Sequence, residues 1–123
     1  MSLRAAVLLS TLRDGREQAY DAEHAVVPDA LLALLRGHGV RDWVIWREGR
    51  SLLHLVDVDD YDRLAEEIAD DPVNVAWQER MAHHVEGFET LDRLPDLDAP
   101  LLVWSLRRQA DASTTPTLET RSR

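Results

Sequence analysis

The side chains best suited to proton transfer near neutral pH are the five histidines, His24, His38, His54, His83 and His84. Tyr20 and His24 stand four residues apart, so on a helix they share one face. That face continues into the apolar positions Val27, Leu31 and Leu35. A titratable ring at the edge of an apolar stripe is a candidate acid or base. The plainer reading of His24 alone is a helix histidine satisfied by a neighbouring carboxylate or by water. His38, between Gly37 and Gly39, reads as a helix end. His83 and His84 are adjacent, so on a helix they diverge and lack the i, i+4 spacing of a zinc pair. His54 interrupts an apolar strand face, where a buried hydrogen bond and a site role both fit.

Trp43, Trp46, Trp77 and Trp104 are many indoles for so short a chain. An indole face packs well against the C–H face of a sugar ring, and it also fills cores and subunit interfaces. The chain has no Gly-rich phosphate loop, HExxH, nucleophile elbow or EF-hand pattern. The acids Asp57, Asp59 and Asp60 read as loop and cap chemistry rather than as a metal site. The absence of cysteine excludes a disulfide scaffold, a thiol nucleophile and a cysteine-ligated metal. With 23 acids against 14 Lys and Arg, the net charge of −9 argues against nucleic acid or an anionic membrane as partner. No apolar run reaches transmembrane length, and the apolar stretch near the N-terminus lacks the form of a secretory signal, so the expected location is the cytoplasm.

The elements that must position these residues follow from periodicity. The chain of 123 residues has the size of one domain with one core. Residues 4–12 predict a strand, and Asp14 with Glu17 predicts a capped helix after it. That helix extends to 37 with a break at Pro28, either a kink or two short helices with Pro28 opening the second. Residues 41–47 and 51–58 predict a hairpin turned by Glu48-Gly49-Arg50. Alternation puts Trp43 and Ile45 on one strand face, and separates Leu52, His54 and Val56 from Leu53, Leu55 and Asp57. A helix at 60–69 and a second from 72 to about 85, with Asp71 as cap, come next. Residues 89–100 read as a loop, 101–106 as the fourth strand, and 108–123 as a disordered tail or an arm laid on a partner beyond a domain of residues 1–107. The order βαββαβ is the ferredoxin-like, α+β arrangement, an antiparallel sheet with helices on one face. Strands two and three are apolar on both faces, which predicts a homodimer with facing sheets or, in a monomer, a partly exposed face with a pocket between aromatics.

Tyr20-Asp21-Ala22-Glu23-His24, Gly39-Val40-Arg41-Asp42-Trp43-Val44-Ile45-Trp46, the strand from Leu53 to Asp57, and Asp71-Pro72-Val73-Asn74-Val75-Ala76-Trp77-Gln78-Glu79-Arg80-Met81 together resemble the L-rhamnose mutarotase family over residues 4–88. The family comprises small cytoplasmic proteins that interconvert the α and β anomers of 6-deoxy-sugars, with L-fucose-acting relatives. The resemblance implies a dimeric α/β barrel, a free monosaccharide substrate and no cofactor. It places the catalytic histidine at His24 and a pocket tyrosine at Tyr20. Trp43 stands for a second pocket tyrosine, Trp77 for the first of a tryptophan pair whose second member is Gln78 here, and Asp57 for a strand glutamate. His54 is a further candidate for binding sugar hydroxyls. Val26-Val27-Pro28-Asp29 replaces the family's Val-Trp-Pro-Glu, one residue closer to the histidine and without its tryptophan. Two other readings share the fold: a cofactorless monooxygenase of the dimeric ferredoxin-like superfamily, and a non-catalytic dimeric binding module with His24 and Tyr20 packed beside no cavity.

Overall fold

The computed structural model describes residues 5–114 apart from 96 and 99. The expected tail beyond 114 lies outside the described residues. Strand β1 (Ala5–Leu12) leads through a turn at Gly15, where φ is +77°, into α1 (Glu17–Glu23). The capping box expected from Asp14 and Glu17 does not form: Arg16 is the N-cap of α1, without a side-chain cap bond. Asp14 and Gly15 are used instead in the reverse turn, which the amide of Arg16 closes on the Arg13 carbonyl at 3.2 Å. Helix α2 (Asp29–Gly37) opens on Pro28 as its N-cap, so the proline divides two helices. Residues 24–28 form the connection between them.

The hairpin of β2 (Asp42–Glu48) and β3 (Ser51–Asp57) is followed by α3 (Tyr61–Ile68) and α4 (Pro72–Ala82). Two aspartates start these helices: Asp60 Oδ1 accepts from the Arg63 amide at 3.1 Å, and Asp71 Oδ1 from the Val73 amide at 2.9 Å. Helix α4 stops before His83, and β4 (Val85–Leu91) replaces the expected end of the helix and start of a loop. Strand β4 pairs with β1, with Ser10 opposite Phe88. It was hidden because it is a short, polar edge strand: most of it is exposed, and Gly87 resembles a helix stop. The strand at 101–106 exists as β5 (Leu101–Ser105), but it adds a fifth strand outside β2. The antiparallel order β4-β1-β3-β2-β5 is a ferredoxin-like sheet with one extra edge.

Residues 108–114 differ from the expected tail, and Leu106 from the expected strand end. They form helix α5 (Leu106–Thr114), and Leu106 is fully buried. Asp42 supplies the missing local signal from 65 positions away, its Oδ1 accepting from the Arg107 amide at 3.0 Å and from Ser105 Oγ at 3.2 Å.

Register fixes what each sheet face carries. Leu8, Ile45, His54 and Trp104 occupy adjoining positions on one face, over which residues of α1 to α4 pack. Val7, Leu9, Val44, Trp46 and Leu55 lie on the other and are partly exposed.

Candidate functional site

A cavity of about 410 Å³ lies between the sheet and the helices. It falls within the range of small-molecule pockets. Tyr20, His24, Val27 and Leu31 border it from the first two helices and their connection; Tyr61, Asn74, Trp77 and Gln78 from the next two; Trp43, Ile45, His54, Phe88 and Trp104 from the sheet. Most of this wall is apolar, so the few polar atoms within it decide what it can do.

Helix α1 ends at His24, whose ring is almost wholly buried, and the i, i+4 spacing brings it against Tyr20. Their ring centroids are 4.2 Å apart. His24 Nδ1 lies 3.1 Å from the Tyr20 main-chain oxygen. A carbonyl can only accept, so Nδ1 carries the proton and donates. In the neutral ring Nε2 is then the bare nitrogen, free to take a proton. Burial is the main force lowering the His24 pKa, to about 4, against the raising pull of that carbonyl and of Glu23 and Asp21. The ring is therefore neutral at physiological pH. Burial, helped by the charge of Asp21, raises the Tyr20 pKa and keeps its phenol protonated. A protonated hydroxyl and an unprotonated imidazole thus border one cavity.

The walls are fixed by their own bonds. Trp77 meets the His24 ring edge-on, with centroids 5.2 Å apart, and carries the Arg80 guanidinium over its face at 5.0 Å. Arg80 also pairs with Glu23, holding that carboxyl below the usual range and joining α4 to the end of α1. Arg47 clamps α1 to the sheet through both oxygens of Asp21, at 3.1 and 2.8 Å.

His54 sits under the cavity with both ring nitrogens engaged. The Trp43 indole donates to Nδ1 at 3.2 Å, so the neutral ring carries its proton on Nε2, which donates to Ser10 Oγ at 3.1 Å. Burial, with a smaller contribution from His24, lowers its pKa to about 3. His54 is therefore a support for Trp43, and its nitrogens are already occupied rather than open to sugar hydroxyls.

Tyr20, His24, Trp43, Trp77 and His54 are thus brought together, and Asp57 is not. Strand alternation turns Asp57 to the face opposite His54, where Arg41 binds it at 2.8 Å. Arg41 also pairs with Asp59, and Asp60 caps α3, so the acidic run is loop and cap chemistry. His38 donates to the Leu34 carbonyl at a helix end. His84 is buried, 3.5 Å from Glu23, outside the cavity wall. Among the described residues no group of three or more His, Asp or Glu could hold a metal ion. Sequence reasoning missed Phe88, which came with the unrecognised β4, and Gln109, whose side chain reaches Val27 and Trp104 from α5.

A family model described as L-rhamnose mutarotase matches residues 4–101. The chain belongs to the L-rhamnose mutarotase family. Members of that family are isomerases that interconvert the anomers of L-rhamnose. Among solved structures, the crystal structure of an L-rhamnose mutarotase from Formosa agariphila is similar, with a TM-score of 0.63 and 18% sequence identity. The match covers 76% of this chain and 98% of that one, and it supports the ferredoxin-like fold. No curated protein matches the chain. The family match runs through every cavity residue up to Phe88, and Trp104 and Gln109 lie beyond it. The cavity beside His24 is the feature that a non-catalytic binding module was expected to lack, and the monooxygenase reading gains no support from the family match.

Proposed function

We propose that His24 and Tyr20 catalyse anomer exchange of a free 6-deoxy-aldose such as L-rhamnose or L-fucose in this cavity. The observation that carries this reading is the His24 tautomer: Nδ1–H is committed to the Tyr20 carbonyl, which leaves Nε2 as the unprotonated nitrogen of a ring that borders the apolar cavity. Nε2 takes the proton from the anomeric hydroxyl, the bond between C1 and the ring oxygen breaks, and the ring oxygen acquires a proton from the Tyr20 phenol. The open-chain aldehyde rotates about its C1–C2 bond. Closure on the other carbonyl face returns both protons and yields the opposite anomer. No electrons leave the sugar and no group is transferred, so the cycle balances without a cofactor. Positioned acid–base groups of this kind contribute roughly 10²–10⁴ in rate.

Tyr20 acts twice in this scheme, through its carbonyl in orienting the base and through its phenol as acid. Trp43 and Trp77 pack the pyranose face and its 6-methyl group, and His54 holds Trp43 in place. Asp57 has no part in it. A homodimer formed through the apolar sheet face of Val7, Leu9, Val44 and Trp46 is the proposed assembly, and the cytoplasm the proposed location. Among the described residues no helix is long and apolar enough to cross a membrane.

The test is to dissolve crystalline single-anomer L-rhamnose, L-fucose and D-glucose with catalytic amounts of protein and follow each approach to equilibrium by NMR. Faster equilibration of the deoxy-sugars than of glucose is expected. Rates equal to those without protein for all three sugars would refute the reading.

A further inference from the structure

We infer that Gln109 is a positioning residue for His24, and that α5 serves as a clamp on the catalytic wall. The inference rests on the mutarotase reading for its kinetic consequence. Gln109 makes three bonds with one amide. Its Oε1 accepts from the Val27 amide at 3.0 Å and from the Trp104 indole at 2.8 Å, and its Nε2 donates to the Val27 carbonyl at 2.7 Å. Val27 and Trp104 both border the cavity. Val27 is fully buried three residues after His24, and the Trp104 ring centroid is 6.2 Å from that of His24.

The connection at 24–28 needs such a partner. It is not helical, and α2 begins only after Pro28. The Val27 amide and carbonyl therefore have no helix ladder to satisfy them, and Val27 is the buried residue between exposed Val26 and Pro28, where unpaired backbone groups are costly. Gln109 satisfies both and ties them to the Trp104 indole near the imidazole. The clamp is itself anchored. Asp42 Oδ1 accepts from the Arg107 amide, from Ser105 Oγ and from the Trp43 amide, so the start of α5 and a second cavity wall share one carboxylate. Helix α5 lies beyond residues 4–101, so the clamp is an addition to the part of the chain that the family model matches.

The test compares Gln109→Ala and Gln109→Glu with the parent. The readouts are kcat and KM for anomer exchange, thermal unfolding, and ¹⁵N shifts of the His24 imidazole and the Trp104 indole. A glutamate keeps both acceptor bonds but sets a carboxylate against the Val27 carbonyl, so it should fall between alanine and parent. For alanine, kcat should fall about tenfold with KM changed less than threefold, because a misplaced base loses rate more than binding. The His24 ¹⁵N shifts should move as well. A folded alanine variant with kcat within twofold of the parent and unmoved His24 shifts would overturn the clamp. If the alanine variant does not fold, the glutamate variant decides: moved His24 and Trp104 shifts support the clamp, and parent-like kcat with both sets of shifts unmoved overturns it. If the parent exchanges no sugar anomers, the mutarotase reading fails, and the clamp stands or falls on the His24 and Trp104 shifts alone.

Discussion

At the scale of residues, the proposed acid–base chemistry turns on which nitrogen of a buried imidazole is bare. The Tyr20 carbonyl settles this for His24, and the Trp43 indole settles it oppositely for His54. The His24 ring borders the cavity with Nε2 unprotonated, and the His54 ring uses both nitrogens to hold the wall. With its pKa near 4, His24 in the free protein stays neutral through most of the acid range, as the proposed base must. The profile of kcat/KM against pH should therefore be flat from about pH 5 upward and fall as pH drops through about 4. A loss centred near pH 6.5 would mean that the imidazole is not desolvated as described. The pair Tyr20 and His24 was legible from spacing alone, because i and i+4 meet on any helix. Their proposed roles were not legible from spacing, because the tautomer depends on a contact that only three-dimensional placement reveals. Asp57 shows the opposite failure. Alternation along β3 already separates it from His54, so the two could not share one cavity, and the resemblance pointed to a position that this strand turns away.

At the scale of elements, local signals did well where the partner is near in sequence. Pro28 divides two helices, and Asp60 and Asp71 cap the next two, each reaching only two or three residues. Replacing Asp71 with alanine should cost about 1 kcal/mol of stability through the lost cap. It should also speed hydrogen exchange in the first turn of α4, the helix that carries Trp77. Chemical denaturation and amide exchange measure both effects, and unchanged values would show that water serves the Val73 amide equally well. Elements held from afar were harder to read. Strand β4 has little apolar alternation of its own and exists because β1 pairs with it. Helix α5 is polar, and its start is secured by Asp42 of the neighbouring strand β2, far away in sequence. Neither feature leaves a short-range pattern.

At the scale of the whole molecule, burying two neutral histidines makes stability depend on acidity. The folded pKa values of about 4 for His24 and about 3 for His54 lie below the ordinary 6.5, so the unfolded chain binds more protons between those limits. Their contribution to stability is complete above about pH 6.5 and is lost progressively as pH falls toward 4 and then 3. For His24 alone the loss is on the order of 3 kcal/mol. Urea midpoints should fall steadily from pH 7 to pH 4, and His54→Asn, which removes one of the two groups, should flatten that slope. The apolar sheet face makes a second prediction: Trp46→Glu sets a charge on the proposed dimer surface and should give a monomer by light scattering, whereas an unchanged mass would place the interface elsewhere. The central claim concerns His24 itself and is tested most directly by His24→Ala. Followed by NMR from pure α-L-rhamnose, the parent should equilibrate the anomers well above the spontaneous rate. A folded His24→Ala protein should lose at least a hundredfold of that catalysis. Equilibration by the variant within a few-fold of the parent would contradict the assignment of His24 as the base.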